Sequence, residues 1–153
     1  MTRRKLISDV MNRNKLVCLP AGTSVSAASR KMFERKVGAI VVTSGQTLLG
    51  IVTERDINFK VVALNYNPDS VTLAEIMTRR PETLPPDAPV DAALEMIQSS
   101  GFRHIPVEAN GTVIGMVSVR DLFMEVKRDL ECDLHDREEF MFGSGYSIPA
   151  VMH

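Results

Sequence analysis

The 153-residue chain carries 18 Lys and Arg against 19 Asp and Glu, a formal net charge of −1, and is 44% hydrophobic and 24% charged. This near-neutral balance argues against a broad cationic surface for nucleic acid or for an anionic membrane, and no apolar run approaches the ~20 residues of a membrane span. The length suits one compact domain or two small ones. The basic start, Met1-Thr2-Arg3-Arg4-Lys5, has no long apolar stretch behind it and reads as the solvated approach to a first helix, not as a signal peptide. Cys18 and Cys132 lack metal-type spacing and fit a reducing cytoplasm, with Cys18 expected as a small buried hydrophobe in a strand.

Leu6, Ile7, Val10 and Met11 recur at helical spacing and predict a short opening helix. Lys15 to Leu19 reads as a short strand ended by Pro20, and Thr23 or Ser24 can cap the next helix. Val25, Ala28, Met32 and Phe33 form the apolar face of that helix, about ten residues long and broken at Lys36-Val37-Gly38. Ala39 to Thr43 is a buried strand, turned through Ser44-Gly45-Gln46 into its partner, Leu48 to Thr53. A helix from Asp56 to Leu64 ends at Asn65-Tyr66-Asn67-Pro68-Asp69, the natural linker.

The order then repeats. Leu73, Ile76 and Met77 predict a short helix, Thr83-Leu84 a short strand before Pro85-Pro86, and Val90, Ala93, Leu94 and Ile97 a helix ended by Gly101. Arg103 to Glu108 and Thr112 to Ser118 form a hairpin about Asn110-Gly111, a strong hairpin signal. A last helix starts near Val119 and runs through Leu122, Phe123 and Val126. The tail from Arg128 to His153 has no counterpart in the first half; its charged early part is predicted helical, Gly143-Ser144-Gly145-Tyr146 stops it, and Phe140, Met141, Phe142 and Tyr146 are expected to pack on the module or on a second subunit.

Two stretches show that the halves are copies. Gly50-Ile51-Val52-Thr53-Glu54-Arg55-Asp56 falls on Gly115-Met116-Val117-Ser118-Val119-Arg120-Asp121 at an offset of 65 residues. The register holds ungapped through Val25 on Val90, Ala28 on Ala93, Ile40 on Ile105, Val42 on Val107 and Thr47 on Thr112. Self-similarity of this kind identifies one duplicated supersecondary unit, β-α-β-β-α. Each copy is near the lower size limit for independent stability, so a pseudo-symmetric α/β (α+β) module with a shared core is expected.

The duplicated unit with its Gly-apolar-apolar-Thr/Ser-x-x-Asp ending resembles the cystathionine-β-synthase (CBS) domain pair, or Bateman module. The resemblance covers Leu6 to about Arg128, with repeats over 6–66 and 72–129 and a tail over 130–153. Val37-Gly38-Ala39-Ile40-Val41-Val42 and Phe102-Arg103-His104-Ile105-Pro106-Val107 look like the family's second strand. The resemblance implies a stand-alone, non-enzymatic regulatory sensor of AMP, ADP or ATP, with two pseudo-symmetric clefts between the copies. It also implies a homodimer that regulates an unidentified protein.

The Thr/Ser-x-x-Asp ending has its own chemistry. Its hydroxyl and carboxylate sit at the first turn of a helix, where unpaired amides and the macrodipole favour an anion. An ionised Asp can accept from both ribose hydroxyls, and Arg55 and Arg120 can offer a guanidinium fork to phosphate. The same residues equally satisfy a capping box, which needs no ligand.

By similarity to nucleotide-binding pairs, the main cleft draws on Asn12, Val17, Val37, Gly38 and Ala39 from the first copy and Arg103, His104, Met116, Ser118, Arg120 and Asp121 from the second. Val37-Gly38-Ala39 would meet the adenine edge, Met116 the base, and Arg103 and His104 the phosphate. The second cleft uses Ile51, Thr53, Arg55 and Asp56 with Thr78, Thr83, Phe102 and Arg103. Gly38 and Ala39 stand there where the main cleft has Arg103 and His104, so its phosphate end is poorer in charge.

Cys132, His135 and Asp136 share a helical face, a ligand-like trio for zinc, but without a second half they read as a solvated charged helix, and no metal is expected. The methionines, Met32, Met77 and Met96 among them, read as core filling. No catalytic set is legible. The competing readings are an adaptor with empty clefts whose function is dimerisation or partner docking, or a binder of NAD, S-adenosylmethionine or nucleic acid. Membrane association is not expected and nucleic acid is disfavoured by charge.

Overall fold

The computed structural model describes residues 5–142, of which 140–142 by backbone alone. In chain order the elements are α1 (Ile7–Val10), β1 (Cys18–Pro20), α2 (Val25–Arg35), β2 (Ala39–Ser44), β3 (Thr47–Thr53), α3 (Glu54–Ile57), α4 (Leu73–Ile76), β4 (Thr78–Arg79), α5 (Val90–Ser100), β5 (His104–Ala109), β6 (Thr112–Ser118) and α6 (Val119–Phe142). A π-helical turn over Asn58–Val62 continues α3.

Local chemistry sets the boundaries. Ser24 caps α2, its Oγ accepting from the Ala27 amide at 3.1 Å, and the helix buries Val25, Ala28 and Met32 along one stripe. Phe33, expected on that stripe, is 84% exposed, because one residue turns a helix by about 100° and Met32 already faces the core. α2 ends in the left-handed region at Lys36 (φ 54°), where its counterpart α5 ends at Gly101 (φ 73°). The turn between β5 and β6 places both Asn110 and Gly111 at positive φ, as a two-residue hairpin turn requires.

The first sheet runs β1-β2-β3-β4, with β1 parallel to β2 and the other pairs antiparallel. The second is the same layout worn down at both edges. Only β5 and β6 are full strands. A parallel bridge Leu84–Val107 stands for β1 and an antiparallel bridge Asn12–Met116 stands for β4. The strand expected over Thr83-Leu84 is therefore one bridge long, since Pro85 and Pro86 bring no amide to extend it. Both hairpins slip register at matching points, after Val42 and after Val107. Cys18 is exposed, contrary to expectation: Val17 takes the inward position, and the next residue of an extended chain points outward.

The two copies exchange their opening helices. Ile7 of α1 is fully buried among Val90, Ala93, Ile105 and Leu122 of the second copy, while Leu73 and Ile76 of α4 complete the core around Val25, Ile40 and Val52 of the first. Backbone bonds repeat the exchange in both directions. Ile7 donates to the Ala88 carbonyl and Leu73 to Thr23; Ser8 donates to Pro86 and Ala74 to Ala21; Val90 donates to Lys5 and Val25 to Val71, all at 2.8–3.1 Å. A third cluster, Ala39, Val41, Ile51, Val113 and Met116, joins the sheets. The spans 6–66 and 72–129 are consecutive in sequence but interlocked in space, and the shared core expected from the duplication is present.

α6 runs through the boundary placed at 129 and 130. Leu122 and Glu125 are its buried residues, and every side chain from Val126 to Glu139 is exposed. The packing expected of Phe140, Met141, Phe142 and Tyr146 lies outside the described side chains.

The exchange needs two close approaches. A Cβ at Gly50 would stand 2.7 Å from both Met77 Sδ and the Thr78 carbonyl; one at Gly115 would stand 2.9 Å from Met11 Sδ, and its three nearest neighbours are all side-chain atoms of Met11. Overpacking of this kind costs about 1–3 kcal/mol. Gly50→Ala is therefore expected near the upper end, because a β4 carbonyl must move, and Gly115→Ala near the lower end, because a thioether can swing aside. Urea denaturation of both variants checks this, and equal losses would count against the backbone clash.

Candidate functional site

Two clefts open where the copies meet. The larger, about 1240 Å³, is lined by Asn12, Val37, Gly38 and Ala39 from the first copy and by Arg103, His104, Met116, Ser118, Arg120 and Asp121 from the second. Val17, expected with them, does not line it: the side chain is in the first core and its carbonyl accepts from the Val41 amide at 2.9 Å. Asn12 is present, but its Oδ1 is already engaged by the amides of Asn14 and Lys15. Gly38 lines the cleft, and a Cβ there would stand in ordinary contact with Glu54 Oε1, at 3.4 Å, and His104 Nε2, at 3.5 Å.

Both Thr/Ser-x-x-Asp endings form capping boxes. The Ser118 amide donates to Asp121 Oδ2 at 2.9 Å and the Asp121 amide to Ser118 Oγ at 3.1 Å. In the first copy, the Thr53 amide donates to Asp56 Oδ2 at 2.9 Å and the Asp56 amide to Thr53 Oγ1 at 3.2 Å. The first helical amides are also engaged, Val119 with the Arg103 carbonyl at 2.9 Å and Glu54 with the Gly38 carbonyl at 3.0 Å. Two of the amides expected to face an anion at each helix start are thus satisfied internally. Side-chain cations must carry most of any phosphate binding.

The first cap holds its Asp more fully, and Thr53 Oγ1 also donates to Asp56 Oδ2 at 3.1 Å. Asp56 Oδ1 lies 3.2 Å from Lys60 Nζ, whereas Asp121 Oδ1 has no partner among the described residues. The position equivalent to Lys60 is Glu125, which is buried and pairs with Lys5 and, at 3.9 Å, with Arg128 Nη1.

The smaller cleft, about 180 Å³, is lined by Ile51, Thr53, Arg55, Asp56, Thr78, Phe102 and Arg103. Thr83 does not reach it. The chain turns at Arg80 (φ 49°), and Pro81 and Glu82 line the wall instead. This volume falls below the usual ~300 Å³ of a small-molecule pocket. The Arg55 guanidinium lies 5.3 Å from the centre of the Phe59 ring, a cation–π contact along its own helix.

His104 borders both clefts. Its Nδ1 is the buried side-chain polar atom without a partner among the described residues. Burial pushes the imidazole below its ordinary value of 6.5, the Glu54 and Asp121 carboxylates pull it back up, and Arg103 lowers it further. Sequence reasoning missed Glu54, which lines both clefts, and Lys15, Lys36 and Arg128, which line the larger. Lys36 alone left a signal, since the repeat sets it opposite a helix-ending glycine. Among the described residues no group of His, Cys, Asp and Glu could hold a metal ion. His135, weighed as a ligand, instead pairs with Glu139 at 3.1 Å. Nor is any described helix long and apolar enough to cross a membrane.

Comparison with known proteins agrees with this architecture. The family model of the CBS domain matches residues 7–62 and again 73–128. The chain is 32% identical over 146 residues to the CBS domain-containing protein CBSCBSPB3 of Arabidopsis thaliana, covering 89% of this chain and 26% of that one, so it spans about a quarter of that relative. It is 36% identical over 118 residues to the protein YlbB of Bacillus subtilis, covering 76% of this chain and 78% of that one. The solved CBS domain pair of protein MJ0100, in complex with 5′-methylthioadenosine and S-adenosyl-L-methionine, superposes with a TM-score of 0.76 at 23% identity over 83% of this chain and 99% of that one.

His104 and Lys36 each give the site a measurable signature. An imidazole held below its unfolded value binds its proton more readily in the unfolded chain. Its stabilising contribution is therefore present above about pH 6.5 and lost as pH falls through the lower folded value. Urea midpoints of the ligand-free protein should drop on acidification from about pH 7 to about pH 5.5, less so in His104→Gln; a steeper drop in the variant would contradict the burial. Lys36→Gly should relieve left-handed strain of about 1–2 kcal/mol, partly offset by the greater freedom of the unfolded chain. A net gain of up to about 1 kcal/mol with weaker binding of anionic ligands is expected; calorimetry and denaturation together check it.

Proposed function

The chain belongs to the CBS domain family, and from that membership and its larger cleft we propose a non-enzymatic sensor of adenine nucleotides (AMP, ADP or ATP) that regulates a partner protein. The observation that carries this reading is the Asp121 carboxylate. One oxygen is fixed by the Ser118 amide, and the other is uncommitted at the edge of a cleft lined by Lys15, Lys36, Arg103 and Arg120. None of these four cations forms an ion pair with the described residues. An ionised carboxylate held in one orientation can accept from ribose hydroxyls, and guanidinium and ammonium groups nearby can meet phosphate. The adenosine compounds bound by the MJ0100 pair support this ligand class; NAD and S-adenosylmethionine present the same ribose and stay within it.

In this reading the ligand-contacting residues of the main cleft are Arg103, His104, Met116, Ser118, Arg120 and Asp121, facing Val37, Gly38 and Ala39. The protein acts as a homodimer, which covers exposed Phe33, Phe59 and Phe123. The adaptor reading finds its support in the smaller cleft, where Asp56 is already satisfied by Thr53 and Lys60.

Calorimetric titration with ATP and AMP tests the proposal. Hydrogen bonds to a charged group are worth about 1.5–3 kcal/mol, so Asp121→Ala should weaken binding roughly tenfold to a hundredfold with the fold retained. Asp56→Ala should leave the affinity of the Asp121 cleft unchanged and cost cap stability of about 1 kcal/mol. If the wild type gives no heat with any adenine nucleotide, the adaptor reading replaces this one.

A further inference from the structure

The two clefts share one wall, and one cation serves both. Arg103 lies in the short segment between α5 and β5 and borders each cleft. Its backbone is pinned, the carbonyl accepting from the first amide of α6 at 2.9 Å, while its side chain is exposed and forms no ion pair with the described residues. Its value to each cleft differs. The larger cleft also has Lys15, Lys36, Arg120 and Arg128, which even without Arg103 balance its carboxylates Asp9, Glu54, Asp121 and Glu125. The smaller has Arg55, which is drawn over Phe59, against the carboxylates of Glu54, Asp56 and Glu82. Without Arg103, the smaller cleft is acidic.

We propose that Arg103 couples the clefts negatively: a phosphorylated ligand in the Asp121 cleft draws the guanidinium to itself and weakens the binding of a second phosphorylated ligand beside Asp56. This deepens, and rests on, the adenine-nucleotide reading. A guanidinium fork can close bidentately on one phosphate at a time. Once it has done so, an incoming phosphate at the smaller cleft meets the Glu54 and Glu82 carboxylates with one displaced arginine to offset them. Coupling of this kind is reciprocal and falls in a range of about fivefold to 150-fold.

Titration calorimetry with ATP tests it on the wild type and on Asp121→Ala, with Asp56→Ala identifying which event belongs to the smaller cleft. The Asp56-dependent event should be at least about fivefold weaker in the wild type, where the larger cleft fills first, than in Asp121→Ala, where it does not. Introducing Arg103→Gln into both proteins should bring the two affinities together, and Arg103→Lys, which keeps a charge but not the fork, should leave a reduced difference. Equal affinities in wild type and Asp121→Ala, no Asp56-dependent event in either, or a difference that survives Arg103→Gln would each overturn the coupling while leaving the larger cleft as a nucleotide site. Absence of any ATP binding to the wild type would remove the nucleotide reading and the coupling with it.

Discussion

The close contact of Met77 and Thr78 with Gly50, mirrored by Met11 at Gly115, is the constraint on which the molecule depends. Each glycine lets a segment from the other copy lie against the outer edge of a hairpin. The opening helix behind that segment then reaches across and fills the other copy's core. A domain of some sixty residues has little apolar surface to bury by itself. Exchanging Ile7 for Leu73 and Ile76 gives each core residues it lacks and makes either half incomplete alone. The clefts are a consequence of this geometry. They lie where two hairpins are held side by side by the crossed helices, so their walls necessarily mix residues from both copies.

A duplicated fold supplies two similar clefts, and the electrostatics then separates them. The larger cleft collects cations from places that are not equivalent by repeat: a turn after α1, the strained end of α2, the start of α6. The smaller shares Glu54 and Arg103 with it and adds Asp56 and Glu82 against Arg55. The strain at Lys36 belongs to this pattern. Gly101 ends the equivalent helix without penalty, and a lysine in the same left-handed position is tolerated where its ammonium borders the larger cleft.

Much of this was legible in the residues. The 65-residue offset carried the element order, both hairpins and the caps, because a repeat forces matching residues into matching places, while the resemblance to nucleotide-binding pairs supplied most of the lining of each cleft. What escaped was of three kinds. Phe33 and Cys18 stand one position off a buried stripe, where apolar character and burial diverge. Val17 and Thr83 were assigned to clefts by correspondence with nucleotide-binding pairs, but local pairing turned one into the core and left the other short of the wall. The exchange of α1 and α4 left no mark in hydropathy, since a helix packs its apolar face equally well on its own sheet or on its neighbour's. Glu54 occupies an unspecified position in Thr-x-x-Asp, so the motif gives no reason to single it out, though its carboxylate borders both clefts.

The sharpest asymmetry rests on one position four residues after each Asp. In the first copy it is Lys60, whose ammonium reaches back to Asp56 and neutralises the carboxylate the ribose would need. In the second it is Glu125, which cannot pair with Asp121 and is itself buried and held by Lys5 and Arg128. Burying that carboxylate would be expensive without its partners, so Lys5, from the exchanged opening segment, supports the arrangement that leaves Asp121 uncommitted. The helix exchange therefore does more than complete a core: it supplies the counter-charge that lets the second copy carry an acid where the first carries a base, and with this reversal Asp121 keeps an uncommitted carboxylate oxygen where Asp56 is ion-paired.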